Sequence, residues 1–104
     1  MTDRPISEEY RLVAKKWVDA KAAADLLEES KSAFLSQKML AGNYNSVSSG
    51  EMHVKASIEW TEYIDAMVKA RKDANLLHVQ LKYIEMKFSE QQSAEATARR
   101  ERGF

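Results

Sequence analysis

Few side chains in this sequence could do chemistry. It contains no cysteine and only two histidines, His53 and His78, which excludes thiolate nucleophiles, disulfides and cysteine-bearing metal sites. His78 falls in a helical pattern, where a di-metal helical bundle would need Glu-x-x-His, but the residue three before it is Asn75. Neither imidazole has a second ligand at metal-binding spacing, so both read as solvated or edge-packed rings. Asp73 and Asn75 belong to a solvated face. Glycine-rich phosphate cradles and nucleophile elbows are absent from the sequence. The residues predict no catalytic group, no metal and no cofactor, in a protein that is not an enzyme.

A second chemistry is binding. In Lys16-Trp17, Lys82-Tyr83 and Lys87-Phe88 an aromatic ring follows a cation, a pairing that can stack single-stranded bases while neutralising phosphates. Trp17 and Phe88 also lie on hydrophobic seams, where a core role competes, so Tyr83 is the freer ring. The candidate nucleic-acid contacts are Lys15, Lys16, Lys82, Tyr83, Lys87, Arg99, Arg100 and Arg102, diluted by Glu8, Glu9, Glu85 and Glu90. The competing reading is a solvated charged face. With 16 basic and 16 acidic side chains in balance, attraction to an anion must be local rather than global.

Helices must position these residues. Trp60, Tyr63, Met67, Ala70, Ala74, Leu77, Leu81, Ile84 and Phe88 follow at alternating steps of three and four, the seam of a coiled coil. Tyr10, Val13, Trp17, Ala20, Ala24 and Leu27 repeat the pattern in the first half. Ser7, followed by Glu8 and Glu9, predicts the cap of the first helix, and Ser57 with Glu59 that of the second. The Asn-, Ser- and Gly-rich stretch between them predicts a loop. One domain over 1–104 follows, with a helix at about 8–41, a loop at about 42–56, a helix at about 57–98 and a basic tail at 99–104.

The expected fold is all-α, an antiparallel two-helix hairpin of coiled-coil type, with paired residue numbers adding to about 98. Trp17 then meets Leu81, Val13 meets Ile84, and Tyr10 lies by Phe88. A second apolar row stays uncovered: Ile64, Val68, Val79, Tyr83 and Met86, with Leu12, Leu26, Leu35 and Met39 on the first helix. Burying such side chains is worth about 1.5 to 3 kcal/mol each, so this row is a candidate partner or dimer face, and a homodimer forming a four-helix bundle is expected. The start, Met1–Ile6, is polar and no apolar run approaches the roughly 18 residues of a membrane span. Cytoplasmic localisation and no membrane partner are the expectation.

The run Ala70-Arg71-Lys72-Asp73-Ala74-Asn75, then Tyr83 and Phe88, then Ala96-Thr97-Ala98-Arg99-Arg100-Glu101, resembles small helical-hairpin proteins of tailed phages and prophages, from replication and recombination neighbourhoods. It covers residues 57–102, and departs in having no Trp between Ser89 and Ser93. The resemblance implies a phage accessory protein in the host cytoplasm. Such a protein would act in DNA replication or recombination by binding a protein partner and single-stranded DNA. Alternatives are an inhibitor of a host defence or nuclease complex, and a scaffold or chaperone for virion assembly.

Overall fold

The computed structural model describes residues 5–103; expectations that fall on Met1–Arg4 or on Phe104 lie outside the described residues. The described chain is all-helical: α1 (Ile6–Glu29), α2 (Lys31–Ala41), α3 (Val47–Lys55) and α4 (Ile58–Arg102). Its extents are 84 × 25 × 17 Å. The elongation comes from α4, whose 45 residues make a rod of about 68 Å at 1.5 Å per residue. No described helix is long and apolar enough to cross a membrane.

α1 lies along α4. Glu9 is 3.8 Å from Lys87, the Tyr10 hydroxyl donates to Glu85 at 3.3 Å, Trp17 stacks on His78 at 5.2 Å between ring centroids, and Asp25 accepts from Arg71 at 2.6 Å. Partner numbers fall along α4 as they rise along α1, so the helices run in opposite directions. These pairs add to 95 or 96 and Glu28 with Arg71 adds to 99, values that bracket the expected sum of about 98. Val13 forms the buried core with Leu81 and Ile84, and Ile6, Ala14, Trp17 and Leu77 pack around them. Further along, Ala24 and Ala74 are buried, and small side chains let two helix backbones approach closely.

The α4 seam is inside for most of its length. Trp60, Ala74, Leu81 and Ile84 are buried, Tyr63, Met67, Ala70 and Leu77 are half-buried, and Phe88 is exposed. Phe88 falls at the rim because α1 begins at Ile6, level with the Ile84 to Phe88 turn of α4.

Four boundaries differ from expectation. The expected helix at 8–41 is two helices that meet at Ser30. The Tyr63 hydroxyl donates to the Leu27 carbonyl at this point, and a side chain that captures a ladder carbonyl is a recognised cause of a helix break. Helix α1 also starts earlier than a Ser7 cap would place it, since the Pro5 carbonyl accepts from the N–H groups of Glu8 and Glu9 at 3.0 Å. The expected loop at 42–56 contains α3. Ser46 caps it by accepting from the Ser49 N–H at 3.1 Å, and Gly50 is buried beneath Tyr44 and Met39. A glycine that reads as a loop signal here sits inside a helix, where its missing Cβ admits the Tyr44 ring. Finally, α4 continues to Arg102, so the arginines expected in a tail form its last turn, where cations favour the negative end of the helix dipole.

Candidate interaction surface

Helix α4 has two apolar sides. One carries the seam against α1; the other carries Val68, Leu76, Val79, Tyr83 and Met86, which are 57–64% exposed. At 100° per residue Val79 lies about 160° around the helix from Leu81, so this second row faces directly away from α1. Ile64, expected on the same row, is half-buried. Leu76 belongs to the row although the sequence pattern did not select it. Its place was readable as the third residue before Val79, and only its exposure makes it part of the surface.

A shallow groove of about 460 Å³ runs beside the row, lined by Met67, Val68, Arg71, Lys72, Asn75, Leu76 and Val79 of α4 and by Glu28 of α1. Its one guanidinium is already engaged. Arg71 Nε donates to Glu28 at 2.7 Å, and its Nη2 donates to Asp25 at 2.6 Å and to Glu28 at 3.0 Å. Asp25 also accepts from Lys21 at 2.9 Å. The hydrogen bonds from Arg71 hold both carboxyls below their ordinary range, with Lys21 helping at Asp25. The two carboxylates raise Arg71 in turn. This network ties α1 to α4 and leaves the groove an apolar floor.

The arginines among the candidate nucleic-acid contacts stand apart from the lysines of α4. Lys15 and Lys16 are exposed on α1. Lys82 is 3.6 Å from Glu85, while Lys87 lies 3.8 Å from Glu9 and 5.9 Å from the centroid of the Tyr83 ring. Arg99, Arg100 and Arg102 are exposed on the part of α4 past Phe88, about 25 to 30 Å along the helix from Lys82. From Ser89 to Gly103 every residue is exposed.

Both histidines have structural partners. His78 lies under Trp17. His53 stacks on Tyr44 at 5.1 Å, and its Nδ1 is 2.7 Å from the Ser49 carbonyl, an oxygen that only accepts, so Nδ1 carries the proton. Among the described residues no group of three His, Cys, Asp or Glu could hold a metal ion, and no buried side-chain polar atom lacks a hydrogen-bond partner. Chemically, the arrangement offers apolar contact along a rigid rod, with charge at its ends.

The members of the expected first-helix row separate as well. Leu26 is exposed, whereas Leu12, Leu35 and Met39 are half-buried. Between α2 and α4 the exposed apolar residues include Leu40, Val47, Met52 and Ile58, of which Val47 and Met52 lie in the stretch that read as loop. No family model, no curated protein and no solved structure matches the chain.

Proposed function

We propose that this protein is a non-enzymatic helical-hairpin adaptor that self-associates into a four-helix bundle and acts by binding another protein. The observation that carries the reading is the exposed row Val68, Leu76, Val79, Tyr83 and Met86 on the side of α4 away from α1. Contiguous apolar surface of this kind marks an interaction site. The resemblance of residues 57–102 to phage hairpin proteins supports a setting in phage DNA replication or recombination, in the cytoplasm of the host. Single-stranded DNA is a further ligand of the proposal, through Arg99, Arg100 and Arg102.

Sedimentation of the full chain at micromolar concentration tests the self-association, and a stable folded monomer would overturn it. Capture of partners from infected cells tests the setting: replication or recombination proteins support it, whereas a stoichiometric host defence enzyme, or tail or capsid protein, would replace it. The DNA arm predicts oligonucleotide binding that weakens with salt and on neutralising the three arginines. Binding that the triple variant retains in full removes that arm.

A further inference from the structure

We infer that Ser30 is a hinge between two forms of one helix: the bent form described above, pinned by the Tyr63 hydroxyl, and a continuous helix from Ile6 to Ala41 that forms when the pin lets go. The hinge lies within a single chain and does not depend on the self-association proposed above.

Nothing in the local sequence stops a helix at this point. Glu29-Ser30-Lys31 holds neither glycine nor proline, and Ser30 alone separates α1 from α2. On each side of it the helical ladder is intact, the Ser30 N–H donating to the Leu26 carbonyl and the Ser30 carbonyl accepting from the Phe34 N–H, both at 2.9 Å. Ser30 has φ −86° and ψ −3°, about 20° and 40° from α-helical values. Small rotations would therefore join the two helices. What stands between them is the Leu27 carbonyl, which an unbroken ladder would give to the Lys31 N–H and which here takes the Tyr63 hydroxyl. The Ser30 side chain does not cap α2, and Lys31, Ser32 and Ala33 are exposed, so the bent form leaves to water a donor that the continuous helix would bond.

Side chains of α2 hold the bent form. Carrying the α1 seam past Leu27 in steps of four and three reaches Lys31, Phe34 and Lys38. A straight helix would turn those two ammonium groups toward the apolar side of α4, about level with Met67 and Trp60 at the register of the α1 and α4 pairs. In the bent form the Lys31 Nζ lies 5.8 Å from the centroid of the Trp60 ring and the Lys38 Nζ 5.6 Å from that of Phe34, where the ring face attracts a cation. Phe34 in turn stacks on Tyr63 at 4.4 Å. One form keeps these ring contacts and the Tyr63 bond; the other gains the ladder across Ser30. The contacts exchanged are of similar, modest size, so neither form wins by a wide margin.

Helix α2 carries more than itself. Its Met39 lies over Gly50 of α3, and its Phe34 lies near Trp60, so movement at Ser30 changes what covers α3 and the start of α4. A protein that binds one form better than the other shifts the chain toward it.

Tyr63→Phe in the full-length chain removes the hydroxyl and keeps a ring against Phe34, and amide hydrogen exchange followed by NMR reads the result. In the wild type the Lys31 amide exchanges faster than the bonded Ser30 amide. In the variant it should slow by about tenfold, with the Ser30 carbon shifts moving to helical values and the Ile84 amide unchanged. Lys31→Leu with Lys38→Leu, which sets apolar side chains at the two seam positions, should move the Ser30 shifts in the same direction. A Lys31 amide as fast in Tyr63→Phe as in the wild type, with the Ser30 shifts unmoved, would overturn the pin. Loss of protection from Phe34 to Leu40 in Tyr63→Phe would overturn the second form, since the hydroxyl would then hold α2 in place rather than bend it.

Discussion

Arg71 joins α1 to α4 by charge at one point, as Lys87 with Glu9 does at another, and has both Asp25 and Glu28 within hydrogen-bonding distance. Because the folded state lowers the pKa of both carboxyls, their contribution to stability is complete above the unfolded-state value of about 4 and is lost as pH falls through the lowered folded-state values. Arg71→Ala should therefore lower the melting temperature at pH 7, and thermal melts of variant and wild type should converge in strong acid. High salt should narrow the difference at pH 7 as well, since the network is near the surface. Ile84 is a contrasting case, 1% exposed at the centre of the α1–α4 core. Ile84→Ala should cost about 2 to 4 kcal/mol in chemical denaturation, without the same pH dependence.

At the scale of elements, α3 and the far end of α4 are the segments with least support. Helix α3 has nine residues, too few to persist alone. Its hold comes from the Ser46 cap and from Tyr44, whose ring lies over Gly42 and Gly50 and stacks on His53. Ser46→Ala should cost α3 about 1 kcal/mol, seen as faster amide hydrogen exchange at Gly50 to Val54 while the Leu81 and Ile84 amides stay protected. The break at Ser30 allows α2 to bring Phe34 against Tyr63, 4.4 Å between ring centroids, and near Trp60 at 6.2 Å. An aromatic cluster thus closes the end of the α1–α4 contact where the small pair Ala24 and Ala74 gives way to larger side chains.

At the scale of the whole molecule, a rod of 84 × 25 × 17 Å with an apolar row on its outer side has more surface than one protomer can cover. The self-association proposed along that row would make stability depend on protein concentration. The melting temperature should rise with concentration through the micromolar range, and Val79→Lys, a substitution outside the α1–α4 core, should remove that dependence; differential scanning fluorimetry across a dilution series checks both. Helical class, the inward stripe from Trp60 to Ile84, the Ser57 cap and the outward row around Val79 were all legible in the residues, because each is a periodic or local pattern within one segment. The reach of α4 past α1, which sets the terminal arginines apart from Lys82 and Lys87, was not, since spacing along a helix says nothing of where its partner helix ends. The break at Ser30 and the presence of α3 depend on side chains that lie outside each helix's own apolar pattern: the Tyr63 hydroxyl on the Leu27 carbonyl, and Tyr44 folded onto two glycines. One-dimensional patterning records which face of a helix is apolar. Which partner covers that face, and how far along, is set by the shapes that meet there, and those exist only once the chain has packed.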